Sequence, residues 1–237
     1  EGLNATSQIL KVRGRVVPST LTDIQLQAEM TDGTIVSGES KIPEARKRIK
    51  KMLMCPENAP ATSGAVEAIL KADVLIFGPG SLYTSVIPNL LVKEIREAVV
   101  KSEAVKIYVC NVMTQPGETD GYGAFEHVKA LLDHVGEQFL DYVIVNDEKI
   151  SAEQLKQYFA EGAMPVTPDV DKIRRLGITV VPASLISKKN LVRHEPKKLS
   201  RVLITLIYRL RLFGKGVQFF DYIFMRHGLN IMEKEHK

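Results

Sequence analysis

Four hydroxyl-bearing residues follow a glycine-rich turn in the first half of the chain. The turn is Gly78-Pro79-Gly80, and the hydroxyls belong to Ser81, Tyr83, Thr84 and Ser85. Glycine permits backbone angles and close approaches that bulkier residues forbid. Hydroxyls and free backbone N–H groups ahead of a helix form a ready anion site. The stretch therefore predicts a phosphate or nucleotide cradle at 78–85, and the alternative is a tight strand–helix connection that binds nothing.

Two elements must position this turn. An apolar run at 74–77 is too short to be a whole helix, which favours a buried parallel strand. An amphipathic helix is predicted at 90–101. Ligands of open α/β sheets sit at the carboxyl ends of the strands, which is where the turn falls. The candidate contacts from this region are Gly78, Gly80, Ser81, Thr84, Ser85 and Asn89.

A second polar loop, residues 110–122, follows the next predicted strand at 105–109. If the sheet is parallel, both loops leave it by the same edge, where a rigid scaffold presents binding residues. Amides in this loop can donate and accept hydrogen bonds to a base or a sugar. Its carboxylates could bind sugar hydroxyls, hold Mg²⁺ or act as a general base. The candidates are Asn111, Gln115, Glu118, Thr119, Asp120 and Tyr122.

Four of these residues have a further property or an alternative role. Tyr122 offers a flat face for stacking as well as a hydroxyl. Glu118, Thr119 and Asp120 have an alternative role, because acidic and hydroxyl residues also cap a helix, here the one predicted to start near Tyr122. No metal site is predicted, since His127 and His134 lack a third ligand at suitable spacing.

The remaining pattern predicts an α/β fold. Strands at 74–77, 105–109 and 142–145 alternate with helices, which implies parallel pairing. Before them, strict alternation at 24–30, the Asp32-Gly33 hairpin signal and strands at 35–40 and 49–54 predict a small antiparallel β insert spanning about 14–55. A short strand at 15–18 and a helix within 1–13 are also expected. We expect one domain over 1–212 and a tail over 213–237 of uncertain structure.

Further helices and later strands complete the prediction. Helices are expected at 65–70, at 122–134, from Ser151 to Gly162, and from Pro196 onward. Ser151 and Gln154 have the spacing of a capping box. The alternation continues less clearly over 166–181.

Charge is unevenly distributed along the chain. The net charge is +4, but residues 187–237 hold 12 Lys/Arg against 4 Asp/Glu, which leaves 20 against 24 for residues 1–186. The mildly acidic core argues against nucleic-acid binding. The basic C-terminal tail could contact an anionic partner, although a solvated helix face is the alternative.

Cysteine content and hydropathy indicate the compartment. Two cysteines do not form a disulfide framework and suit a reducing cytoplasm. No apolar run reaches the length of a transmembrane segment, and no signal peptide is recognisable. We therefore expect a cytoplasmic protein with no transmembrane segment. The chain starts at Glu1 within a helical pattern, which favours a fragment of a longer protein.

The two loops together resemble the bacterial gluconeogenesis factor family of YvcK-like proteins. The resemblance rests on GPGSLYTS at 78–85 with PNLL at 88–91, and on CNVMTQPGETDG at 110–121. Stretches 13–20 and 32–43 are also similar to that family. The wider CofD-like superfamily includes 2-phospho-L-lactate transferase, which joins a lactyl-phosphate unit to a deazaflavin.

The resemblance implies a Rossmann-like fold, with a mostly parallel sheet flanked by helices. It also implies a cytoplasmic protein that binds UDP-sugars such as UDP-N-acetylglucosamine, or an NAD(P)-like dinucleotide. The implied role is in cell shape, peptidoglycan synthesis and growth on gluconeogenic carbon sources. The implied nucleotide-sugar contacts are Gly78, Gly80, Ser81, Asn111 and Tyr122. The family's upstream glycine-rich loop and Asp pair are absent from this chain, and residues after about 212 do not look like the family's end.

Three functions compete at this point. The loops lack a convincing nucleophile–base pair, so we expect a regulatory nucleotide-sugar-binding protein without turnover rather than an enzyme. A phospholactate-type transferase is the alternative, and only there is Mg²⁺ implied, because phosphoryl transfer needs metal or cationic clamps. A third interpretation is an interaction protein that uses its basic tail. A homo-oligomer is left open.

Overall fold

The fold contains two separate β-sheets. The structure is a computed structural model that describes residues 14–187 and 192–213. The first sheet is antiparallel with strand order β2-β1-β3, and the second is parallel with order β4-β5-β6-β7. The strands are β1 Gln25–Met30, β2 Ile35–Ser37, β3 Ile49–Cys55, β4 Val74–Phe77, β5 Val105–Val109, β6 Tyr142–Asn146 and β7 Thr179–Ala183.

Helices connect the parallel strands, as right-handed crossovers require. They are α1 Lys41–Glu44, α2 Ser63–Lys71, α3 Ile87–Leu91, α4 Lys93–Lys101, α5 Ala124–Val135, α6 Ala152–Glu161, α7 Val170–Arg174 and α8 Pro196–Phe213. A single π-helical turn, Leu82–Val86, precedes α3. Ser151 caps α6 by accepting from the Gln154 backbone N–H, and Gly162 ends that helix in the left-handed conformation.

The parallel sheet is covered on both faces. Ile107 and Ile144 face α8, which contributes Leu199, Val202 and Leu206 to one apolar cluster. The other face belongs to a larger cluster that is shared with α5 and with the antiparallel insert. That cluster includes Tyr108, Val143, Val128, Leu131, Met30 and Met52. The strands are therefore mostly apolar, as expected for a parallel sheet buried on both sides, although β5 also buries Lys106.

The α/β fold and the small antiparallel insert are confirmed. The hairpin turn forms at Gly33, whose φ is +83°, and β1 pairs with both β2 and β3. The predicted strand at 35–40 is shorter than expected because Gly38, with φ +104°, ends it. The helix predicted within 1–13 and the tail after Phe213 lie outside the described residues.

Two local predictions were wrong. No strand forms at 15–18, where Pro18 has no N–H to donate to a ladder; Thr20 makes only an isolated bridge with Ala61. The helix predicted at 90–101 is in fact preceded by helical turns from Leu82 and interrupted at Val92, which is extended. Pro88 is tolerated there because it occupies the first turn of α3.

Strand β4 is the terminal strand of the parallel sheet over the described ranges. Its Ile76 is 42% exposed, unlike the apolar residues of the inner strands. Within residues 14–187 and 192–213, no helix combines the length and the hydropathy that a bilayer span requires.

Candidate functional site

The glycine turn after β4 is shaped by contacts within the chain itself. Gly78 has φ +83°, and a Cβ there would lie 3.1 Å from the carbonyl oxygen of Val109. At Gly80 a Cβ would lie 3.3 Å from the Cβ of Ser85. Both glycines are therefore needed so that the turn can pass close to β5 and to the π-helical turn.

Ser81 caps the π-helical turn. Its Oγ accepts a hydrogen bond from the Thr84 backbone N–H at 3.1 Å, and it lies 2.6 Å from the Thr84 Oγ1. The same hydroxyl donates to the Glu118 carboxylate at 2.5 Å. The two predicted loops, one after β4 and one after β5, therefore meet directly, as their positions at the carboxyl ends of neighbouring parallel strands require.

Glu118 is the central group of this meeting point. Its side chain is buried, and it accepts hydrogen bonds from Ser81, from Thr84 at 3.4 Å and from the backbone N–H of Tyr83. Burial raises the pKa of the Glu118 carboxyl above its usual range, and these hydrogen bonds partly oppose that shift. Glu118 thus occupies the position, at the start of the helical segment, that the sequence pattern assigned to a ligand phosphate.

The second loop is held by its own hydrogen bonds. The Gln115 backbone N–H donates to Thr119 Oγ1 at 2.8 Å, and the Gly117 N–H donates to Asp120 Oδ2 at 2.6 Å. Helix α5 begins only at Ala124, and its N-terminus is closed by Gly123 together with Glu126. The capping alternative for Glu118, Thr119 and Asp120 is therefore wrong, because these residues stabilise the loop and not the helix.

Tyr122 lies in the core next to the site. It is 9% exposed, and its hydroxyl is 2.8 Å from the hydroxyl of Tyr83. The two rings meet edge to face, and the Arg48 guanidinium lies 5.9 Å from the Tyr122 ring centroid. Direct contact between Tyr122 and a ligand stays a prediction.

The polar atoms that remain accessible surround this core. Ser85 and Asn89 are exposed, and Asn111 is half-buried. Asn89 accepts from the Ser19 hydroxyl and donates to the Ser85 carbonyl. The buried Oε1 of Gln115 has no hydrogen-bond partner among the described residues. A buried acceptor without a partner normally has a water or ligand donor nearby.

Sequence patterns missed the residues that support the site from a distance. Tyr83 was counted among the turn hydroxyls, but it is buried and points at Tyr122. Arg48 lies in the basic stretch 46–51 of the insert, to which the sequence pattern assigned no role at the site. Gly117 meets the insert, since a Cβ there would lie 2.0 Å from the Pro43 carbonyl oxygen. These contacts join segments distant in sequence, and no local pattern encodes them.

Over 14–187 and 192–213, no group of three or more His, Cys, Asp or Glu side chains is arranged to hold a metal ion. The Nδ1–H of His127 donates to the Gly123 carbonyl, and the Nδ1–H of His134 donates to the Ala130 carbonyl.

Comparison with protein families and curated proteins gives a consistent result. Residues 1–186 match the family model described as 2-phospho-L-lactate transferase CofD. The gluconeogenesis factor of Bacillus subtilis is 45% identical over 202 residues, which cover 85% of this chain and 64% of that protein. A putative gluconeogenesis factor of Clostridium acetobutylicum is 39% identical, with 100% of this chain and 54% of that protein covered. The chain thus spans less than two thirds of the length of these relatives.

A solved structure has the same fold. The crystal structure of a UPF0052 family member from Bacillus halodurans is similar with a TM-score of 0.82 at 45% identity. The match covers 86% of this chain and 66% of that one. At this identity, the agreement extends to the arrangement of strands and helices that carries both loops.

Proposed function

This chain belongs to the CofD family, and from that membership we propose that it binds a UDP-sugar such as UDP-N-acetylglucosamine as a regulatory protein without turnover. Its similarity to gluconeogenesis factors supports a role in growth on gluconeogenic carbon sources. We extend the proposal to cell shape and peptidoglycan synthesis, for which UDP-N-acetylglucosamine is a precursor. A cytoplasmic location fits a chain whose two cysteines are both free.

The observation that carries the proposal is the direct contact between the two loops. Ser81 and Glu118 bond at the carboxyl edge of β4 and β5, where ligands of parallel sheets bind. The segments that follow β4 and β5 also carry polar groups suited to a sugar and a base, Ser85 and Asn89 in the first and Asn111 and Gln115 in the second. A phosphate-containing ligand with several hydroxyls and an amide matches this mixture of donors and acceptors.

The contacts of Glu118 favour a different ligand group at the turn after β4 from the phosphate that the sequence predicted. An ionised Glu118 at the start of the π-helical turn would repel a diphosphate placed there. We therefore assign the turn to hydroxyl groups of the ligand, whose donors a carboxylate accepts well. The unpartnered Oε1 of Gln115 is assigned to an N–H or hydroxyl donor of the ligand.

Calorimetric titration with UDP-N-acetylglucosamine tests the proposal. We expect saturable binding to this chain, and about tenfold weaker binding to Gln115→Met, which loses one buried acceptor worth about 1–1.5 kcal/mol. The variant should be at least as stable as the parent, because it removes a buried unsatisfied oxygen. Gln25→Met, on the exposed face of β1, is the matched control. Absence of binding by the unmodified chain would contradict the proposal.

The family model's description favours a second candidate, a phospholactate-type transferase. Such chemistry would call for Mg²⁺ or cationic clamps. The two acids of the second loop do not fit a metal as they stand, since Glu118 is bonded to Ser81 and Asp120 to the Gly117 N–H. Incubation with a lactyl-diphospho-nucleoside and a deazaflavin acceptor, with Mg²⁺ added, tests this candidate. A coupled product would favour the transferase over the regulator.

A further inference from the structure

A cavity lies away from the two loops, between the insert and the helices. This cleft has a volume of about 500 Å³ and is bounded by β3, the end of α3, α4 and the end of α5. None of the predicted site residues lines it. Edge strand β3 is held to α5 by a hydrogen bond of 2.9 Å from the Met52 backbone N–H to Nε2 of His134.

The charges in the cleft favour an anion. Lys51 and Arg96 both line it. Of the two acids there, Asp133 is already neutralised by Lys129, whose Nζ lies 2.7 Å and 2.9 Å from the two carboxylate oxygens. Glu57 is exposed, so water screens its charge. The Glu29 carboxylate, which is paired in register with Lys51 across the sheet, is bound by Lys50 instead.

The apolar part of the cleft limits the size and nature of a ligand. Leu53 of β3 and Leu91 and Val135 of the helices line the cleft and are half-buried, so they offer aliphatic surface to a ligand, whereas Met52 and Met54 are buried in the core. A wall of this kind next to two cations suits an anionic headgroup that carries a short carbon chain, and a bare inorganic ion would leave the wall unused.

We propose that this cleft is a second ligand site, which binds a small organic anion through Lys51 and Arg96. The headgroup, a phosphate or a carboxylate, lies between the two cations, and the carbon chain packs on Leu53, Leu91 and Val135. Arg96 is partly oriented for this role, because its Nη1 donates to the Leu90 carbonyl at 3.3 Å.

The cleft is linked to the first site through aromatic contacts. The His134 ring, at the cleft, packs edge to face on Tyr83 with 6.0 Å between ring centroids. Tyr83 in turn bonds to Tyr122 and lies within the turn that carries Ser81. An anion in the cleft therefore changes the affinity of the loops for their ligand. This consequence, unlike binding to the cleft, rests on the proposed function.

Cys55 provides a direct reporter of occupancy. It lines the cleft and is exposed, whereas Cys110 is buried. The experiment measures the rate at which iodoacetamide alkylates Cys55, located by mass spectrometry, with increasing glycerol 3-phosphate or hexanoate. We expect saturable protection by at least one of them, and the one that protects identifies the headgroup as phosphate or carboxylate. Protection by neither, or equal protection by glycerol or by sodium chloride at matched ionic strength, would overturn the proposal.

Three variants test whether the protection of Cys55 arises from anion binding in the cleft. Lys51→Glu, at an exposed position, should weaken the apparent affinity for the anion about tenfold or more, since it replaces a charge-assisted contact by repulsion. Arg96→Gln should weaken it similarly. Lys156→Glu, on exposed α6, makes the same charge change away from the cleft and should leave protection unchanged. Equal protection in the parent, Lys51→Glu and Arg96→Gln proteins would overturn the proposal even if the anions slow alkylation.

Calorimetry separates the cleft from the proposed function. UDP-N-acetylglucosamine is titrated with and without the protecting anion, and a shift in its affinity supports the coupling. If the nucleotide-sugar does not bind but Cys55 is protected, the cleft stands and the proposed function fails. If it binds but no anion protects Cys55, the cleft proposal fails alone.

Discussion

The Ser81 hydroxyl and the Glu118 carboxylate, 37 positions apart in sequence, are 2.5 Å apart in the structure. This hydrogen bond joins the loop after β4 to the loop after β5. It also places a buried acid where a helical segment starts, so the acid interacts with the N–H groups there. Because burial shifts the pKa of this carboxyl, the stability of the site depends on pH.

The first prediction concerns Glu118→Gln and pH. Burial raises the folded-state pKa of this carboxyl above its ordinary value of 4.5. The folded protein therefore holds the Glu118 proton more tightly than the unfolded chain does, and this difference stabilises the fold. The stabilisation is complete below pH 4.5 and is lost as the pH rises through the folded-state pKa. Glu118→Gln should remove that part of the pH dependence. Urea unfolding between acidic and neutral pH measures it, and an unchanged slope in the variant would contradict the prediction.

The second prediction concerns the paired hydroxyls of Tyr83 and Tyr122. Each single change to Phe leaves the other buried hydroxyl without its partner, at a cost of about 1–2 kcal/mol of unfolding free energy. The double change removes both hydroxyls, so it should cost less than the sum of the single changes. A double-mutant cycle by urea unfolding should give a coupling of about 1 kcal/mol. Additive single effects would show that the hydroxyls do not interact.

The third prediction compares two glycines of the second loop. Gly117 and Gly121 have φ of +84° and +72°, so both are strained by a side chain. Only at Gly117 does a Cβ also collide with backbone, 2.0 Å from the Pro43 carbonyl oxygen, whereas nothing lies within 4 Å at Gly121. Gly117→Ala should cost about 3 kcal/mol or more, and Gly121→Ala about 1 kcal/mol. Thermal unfolding of the two variants measures these stabilities. Equal losses of stability would contradict a close contact between Gly117 and the insert.

The fourth prediction concerns His134 and acid. Burial lowers the pKa of His134 below 6.5, and its Nε2 accepts from the Met52 N–H only while the ring is neutral. The stabilising contribution is therefore present above pH 6.5 and is lost as the pH falls through the folded-state pKa. His134→Gln, which keeps an acceptor without a titrating ring, should reduce the loss of stability between neutral and mildly acidic pH. The same acid sensitivity in parent and variant would argue against this role.

Hydrophobic patterning was sufficient to predict most of the fold. The boundaries of β5 were predicted residue for residue, because its β-branched and aromatic residues form a short run that ends just before the polar second loop. The Asp32-Gly33 turn was predictable from the conformational freedom of glycine. The helical turns from Leu82 were not predictable, because their hydroxyls and Pro88 have the composition of a loop and they become helical only by packing against the core. The extended conformation of Val92, which ends them, has no signal in the sequence either.

The position of the site at one edge of the sheet was predictable, but the contacts of its individual side chains were not. That two polar loops share one edge follows from parallel pairing, and the contact of Ser81 with Glu118 agrees with it. Which groups face a ligand depends on partners distant in sequence. The hydroxyl of Tyr122 is taken by Tyr83, and the acids of the second loop bind their own backbone or the first loop. Single-sequence patterns contain no information on such pairings.

The π-helical turn at Leu82–Val86 presents Ser81, Thr84 and Ser85 on its polar side while it buries Tyr83 in the protein interior. Ligand binding and core packing therefore cannot be changed independently along this segment, because any backbone shift that moves one of these hydroxyls also moves the buried ring of Tyr83. Efforts to alter ligand preference should therefore begin on the loop after β5, at Asn111 and Gln115, which are half-buried and lie outside this segment.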